Sequence, residues 1–177
     1  MNALRRAQLD DVSSLNLLIA ESARHLSRAF YQPEQIAALI THVFGVDTQL
    51  IRDATYFVME RDAQVIACGG WSARRTLFGG DQTKHDADPL LSPGTDAARI
   101  RAFFVHPSVA RQGLGRHLLV HCERAALAAG FHRAELMATL PGEPLYSALG
   151  YSTLERVVHP LPNGVTVDLV RMGRALR

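Results

Sequence analysis

Lysine is almost missing from this chain: Lys84 is the only one, so nearly all the positive charge is arginine. Cysteine and tryptophan are scarce too, with two and one. Cys68 and Cys122 lie far apart and form no CxxC, which argues against a zinc knuckle or a disulfide framework and leaves two small, buried apolar side chains. No apolar run approaches the roughly eighteen residues needed to span a bilayer. The opening stretch MNALRRAQLDDVSSLNLLIA lacks the unbroken apolar segment of a secretory signal, so a cytoplasmic address is the expectation. An excess of one charge is also absent: nineteen basic against seventeen acidic residues give a formal +2, too little to attract nucleic acid or an anionic membrane by field alone. Phosphate motifs of other families are missing as well. There is no GxxxxGK[ST], and Gly113-Leu114-Gly115 is followed by Arg116-His117-Leu118, with leucine at the third glycine of GxGxxG, which disfavours a nucleotide hydrolase or a dehydrogenase.

What is present is 177 residues, 47% hydrophobic and 20% charged, the profile of one soluble globular domain over residues 1–177. The patterning predicts a strand over Leu4–Ala7. A helix follows, capped by Asp10 or Asp11, with Val12, Leu15, Leu18, Ile19 and Ala23 at helical spacing. A second helix starts at Pro33, buries Ile36, Leu39, Ile40 and Val43, and exits at Gly45. Thr55–Glu60 and Gln64–Trp71 read as antiparallel strands of a hairpin. From Leu77 to Ala97, glycine, proline, serine and aspartate crowd together without periodicity, which predicts a long loop with either a binding role or the character of a mobile insertion. Arg99–Val105 then reads as a buried strand. Leu114, Leu118, Cys122, Ala125 and Ala129 mark a helix face ended by Gly130. A strand at Glu135–Thr139, a short helix at Glu143–Leu149 and two strands around Tyr151–His159 and Val165–Arg171 complete the order. The fold class is mixed α/β, with about seven mostly antiparallel strands and about four helices.

The segment RAFFVHPSVARQGLGRHLL, Arg101 to Leu119, carries the strongest chemical signal. A buried strand runs through a glycine-punctuated turn into an amphipathic helix. Such a turn offers free N–H groups at the positive end of the helix dipole, and glycine lets a phosphate approach the backbone. Gly113 and Gly115 would supply clearance, and Arg111 and Arg116 positive charge.

These residues resemble the GNAT superfamily of N-acetyltransferases, whose acetyl-coenzyme A (acetyl-CoA) motif is V-x-P followed by [RQ]-x-x-G-x-[GA]. Val105-His106-Pro107 matches the first part. Ala110-Arg111-Gln112-Gly113-Leu114-Gly115 matches the second except at Ala110, where arginine or glutamine is usual. Pro144-Leu145-Tyr146-Ser147-Ala148-Leu149-Gly150-Tyr151 is similar to the family's FYxxLGF segment. The resemblance implies a GNAT fold and transfer of acetyl from acetyl-CoA to a primary amine by direct attack, with no metal. A non-catalytic acyl-CoA sensor is the alternative. By resemblance, the backbone amides of Arg111, Gln112, Gly113, Leu114, Gly115 and Arg116 bind the diphosphate. Phe103, Phe104 and Val105 offer main-chain groups to the pantetheine arm, and an amide near Phe104 or Val105 faces the thioester carbonyl. Tyr146 is the acid that protonates the departing thiolate. The family also makes a homodimer across an exposed strand an expectation.

The general base is less legible. The glutamate used by histone-acetylating relatives falls at Arg99, which is no base. Asp96, His85, Asp86 and Asp88 in the long loop, and Glu60 at a strand end, are the remaining candidates. Phe30, Tyr31 and Trp71 are either an apolar acceptor pocket or core. Arg99 and Arg101 share a strand face, turned either to an acidic acceptor or to ion-pair partners. His117 and His121, one helical turn apart, read as surface residues without a third metal ligand.

Overall fold

A computed structural model describes residues 2–177. One seven-stranded sheet runs through it in the order β1-β2-β3-β4-β5-β7-β6. Its strands are β1 (Ala3–Arg6), β2 (Tyr56–Arg61), β3 (Gln64–Ser72), β4 (Ala98–Val105), β5 (Arg133–Thr139), β6 (Ser152–Pro160) and β7 (Thr166–Ala175). Every neighbouring pair is antiparallel except β4 with β5. The β2–β3 hairpin closes on Asp62 and Ala63, both at positive φ (51° and 60°), the backbone whose twist matches that of the strands it joins.

Both faces of the sheet are covered at β2, which buries alternate residues on opposite sides. Tyr56 and Val58 pack with α1 (Val12–Leu26). Phe57 and Met59 pack with α4 (Leu114–Ala128). The other helices are α2 (Pro33–His42), α3 (Thr48–Arg52) and α5 (Glu143–Ala148). Periodicity misses α3, because one turn is too short to show a stripe; Asp47 starts it by accepting the Gln49 amide at 3.0 Å. Pro33 sits in the first turn of α2 as expected, but that helix ends at His42, with Val43 as its C-cap, before Gly45. In α4 the buried face runs through Leu119 and Ala126, while Ala129 is exposed beyond the helix end. Asp11 does not cap α1 with its side chain. Its carboxylate takes the Gln8 amide and a two-pronged contact from Arg5 at 2.8 and 2.9 Å. Cys68 and Cys122 are buried as expected, and burial pushes the Cys68 thiol up to about 12.

The long segment 77–97 is fastened rather than free. Arg101, 2% exposed, donates to the carbonyls of Thr76 (3.2 Å) and Gly79 (2.6 Å) and to Asp47 (2.9 Å). Lys84 bridges Asp47 and Asp88, and the Asp88 carboxylate also accepts the Thr76 amide. The sole lysine and a buried arginine thus lock the loop to the start of α3.

Candidate active site

β4 and β5 pair only at Ala98–Ala134 and Arg99–Glu135, and then part. β4 keeps its ladder with β3 as far as Val105, and β5 keeps its ladder with β7 as far as Thr139. Two local features accompany the parting. In β4, Ala102 and Phe103 oppose the single residue Gly69, with Ala102 at φ 55°; a bulge of this kind bends its strand and raises its twist. The Ala102 carbonyl is held by the Tyr56 hydroxyl at 3.0 Å. Beyond the end of β5, the Leu140 amide donates to the Tyr31 hydroxyl, which itself donates to the Asp168 carbonyl of β7. Strand ends forced apart leave main-chain groups unpaired, and an unpaired strand edge can take an extended ligand.

The gap is a cleft of about 210 Å³. Phe103, Phe104 and Val105 line one wall, Met137, Ala138 and Thr139 the other. Ser22, Ala23 and Leu26 of α1, Ser27 just beyond it, Phe44 and Tyr146 of α5 complete the lining. Of four tyrosines, Tyr31, Tyr56 and Tyr151 commit their hydroxyls to protein acceptors. Among the described residues Tyr146 commits its hydroxyl to none. Its ring, 8% exposed, is wedged edge-on between Phe103 and Tyr151, with centroids 6.4 and 5.8 Å away. Burial pushes its phenol well above the ordinary value, so it holds its proton until a strong base appears.

β4 runs on into the glycine turn. A 3-10 turn over Pro107–Val109 is followed by Arg111 at φ 65° and Gly113 at φ 83°, from which α4 starts. No side chain caps α4, which leaves its first N–H groups free for an anion. A Cβ at Gly113 would meet no protein atom within 4 Å. That open space, the bare amides and the exposed Arg111 and Arg116 fit a diphosphate. A Cβ at Gly115 would meet the end of the Leu145 side chain at 3.1 Å, so this glycine also lets α4 lie close to α5. Sequence reasoning missed Arg61, which donates to the Gln112 side chain at 3.3 Å from 51 residues away. No local pattern signals a contact that only the β2–β3 hairpin brings about.

The structure resolves the open alternatives. Arg99 pairs with Glu135 at 3.1 Å and Arg101 with buried Asp47, so neither is turned to an acceptor. Tyr31 is a core clamp and Trp71 packs on Phe131, outside the cleft; Phe30 is 49% exposed at the α1–α2 junction. None of the base candidates lines the cleft. Asp96 takes the Ser92 amide of its own turn and Glu60 is bound to Arg5. His85 and Asp86 are exposed around a second hollow beside Phe78 and His159. Burial alone would raise the Asp88 carboxyl, but bonds from Thr76 and Lys84 outweigh it and hold it below the usual range. Among the described residues no cluster of three metal-ligating side chains occurs, and no helix is long and apolar enough to cross a membrane.

A mixed sheet parted at its one parallel pair, with an uncapped helix following the parted strand, defines the class of fold. The model of the acetyltransferase (GNAT) family matches residues 15–151, and the chain belongs to that family. Solved structures with the same fold include a protein described as a GCN5-related N-acetyltransferase, aminotransferase class II, from Rhodopseudomonas palustris, at 17% identity and TM-score 0.73 over 99% of this chain and 96% of that one. The PaiA N-acetyltransferase of Thermoplasma acidophilum, solved in complex with coenzyme A, shares 12% identity at TM-score 0.64 over 99% of each chain. The ribosomal-protein-S18-alanine N-acetyltransferase of Escherichia coli shares 16% at TM-score 0.62 over 99% and 94%. No curated protein matches by sequence.

Proposed function

We propose that this protein transfers an acetyl group from acetyl-CoA to a primary amine by direct attack of the amine. The observation that carries the reading is the uncommitted phenol of Tyr146 on the cleft between parted β4 and β5, beside the bare start of α4. The bound thioester supplies an acyl group that is already activated. The amides from Arg111 to Arg116 hold the diphosphate, with Arg111 and Arg116 adding charge. Free main-chain groups of Phe103, Phe104 and Val105 lay the pantetheine arm along β4, and an amide near Phe104 or Val105 faces the thioester oxygen, where negative charge grows during attack. Tyr146 gives its proton to the leaving sulfur. Burial keeps the phenol protonated until then, and it gives up the proton only as negative charge builds on the sulfur of the breaking C–S bond. Positioning in a dry cleft then supplies much of the rate. A cytoplasmic location goes with this reading.

A thiol-release assay with acetyl-CoA and a panel of amines tests it, run on wild type and Tyr146→Phe. Release with some amine, much reduced in the variant while coenzyme A still binds, supports the reading. Intact binding with no release from any amine would turn the protein into an acyl-CoA sensor.

A further inference from the structure

The cleft contains no base. Of its lining residues only Tyr146 titrates, and burial holds that group protonated. The polar side chains at the α1 end and on β5 are the hydroxyls of Ser22, Ser27 and Thr139; the rest, with Ala23, Leu26, Phe44 and Met137 around them, are apolar. The titratable groups of the surrounding elements lie outside this lining. On α1, Glu21 lies 3.4 Å from His106, the His25 ring is bonded to the Glu21 carbonyl, and Arg24 faces the groove against α2. On α5, Glu143 is paired with Arg156 at 2.7 Å. Tyr31 has its hydroxyl bonded on both sides, Asp168 is on the exposed face of β7, and Asp47 is buried between Arg101 and Lys84.

We infer that the acceptor is a weakly basic amine that enters already uncharged, rather than a lysine side chain or a polyamine; this rests on the transferase reading above. A charged ammonium has no lone pair to attack with, and no carboxylate lines the cleft to welcome or deprotonate it. At pH 7.5 an α-amino group of pKa about 8 is roughly one quarter neutral, whereas a lysine amine of pKa about 10.4 is neutral in roughly one molecule per thousand. The neutral nitrogen forms the C–N bond, the C–S pair departs on sulfur, and Tyr146 protonates that sulfur. The surplus proton on nitrogen passes to water at the serine end, and solvent restores the phenol.

The test compares kcat/KM, from pH 6 to 10, for alaninamide, Nα-acetyllysine amide and 4-methoxyaniline. The expected result is a preference of at least about tenfold for the weaker bases over the lysine analogue at pH 7.5, the greater nucleophilicity of the lysine amine offsetting part of its protonation. The profile should climb to each acceptor's own pKa, near 8 for alaninamide and above 10 for the lysine analogue, and stay flat for the aromatic amine. Preference for 4-methoxyaniline over alaninamide identifies an aromatic acceptor, and the reverse an α-amino group. A lysine analogue that matches or beats the others, or one plateau pKa shared by alaninamide and the lysine analogue, overturns the inference by exposing an enzyme base. No release from any of the three or from the wider panel, with coenzyme A bound, overturns the transferase reading and this inference with it.

Discussion

Two helices of this protein begin in opposite ways. α3 starts at Asp47, whose carboxylate takes the Gln49 amide and is held by both Arg101 and Lys84. α4 starts at Gly113, with no side chain on its amides and open space where a Cβ would stand. The first start is closed by the protein's own groups and the second is left for something else. The same contrast separates Tyr31, Tyr56 and Tyr151, whose hydroxyls bond within the protein, from Tyr146. The open helix start and the spare phenol are the two places where the proposed coenzyme would bind.

Four substitutions, one control and a pH titration probe this contrast. Tyr146→Phe removes the spare phenol: turnover should fall about 100-fold or more with coenzyme A affinity unchanged, measured by thiol release and calorimetry. Arg101→Met breaks the closed start and should destabilise the fold by about 3 kcal/mol in denaturant titrations, because Asp47 stays buried with Lys84 as its only remaining cation. A variant as stable as wild type would show that the closed region is not closed by this pair. Gly113→Val fills the open start and strains a backbone at φ 83°. Coenzyme A affinity should drop about tenfold or more, with roughly 1–3 kcal/mol of stability lost to strain.

Acid should act on the half-buried ion pairs of the closed kind. The hydrogen bond from Arg74 holds the Asp53 carboxyl below its usual range, and Arg5 does the same for Asp11. A depressed folded-state pKa contributes stability that is complete above the ordinary carboxylate value and is lost as pH falls through the folded one. Unfolding free energy should therefore decline below about pH 4, and Arg74→Ala should flatten that decline. The smallest effect belongs to Gly115→Ala, the control. Its new methyl meets the flexible end of Leu145 at 3.1 Å, so stability should change by less than about 1 kcal/mol and coenzyme A affinity by less than about threefold. An affinity loss as large as that of Gly113→Val would return Gly115 to the ligand.

Much of this was legible in the sequence, and for a local reason. The helical stripe from Leu15 to Ala23, the β2–β3 hairpin, the glycine turn and the α5 segment around Tyr146 are each encoded within a few consecutive residues, where spacing dictates which side chains share a face. The short α3 escaped because five residues carry no period. The closeness of Gly115 to Leu145 was not legible either, because the pattern that places a glycine in a turn does not say which distant neighbour lies against it.

The sequence by itself determined the order of the strands and of the helices other than α3, the glycine turn and the resemblance to the family, since all three rest on short-range spacing. Only the tertiary structure decided that Arg101 and Lys84 fasten the long loop, that Tyr31 clamps β5 to β7, and that no carboxylate reaches the cleft. Those facts depend on residues separated by tens of positions, brought together by strand register and by the point where β4 and β5 part.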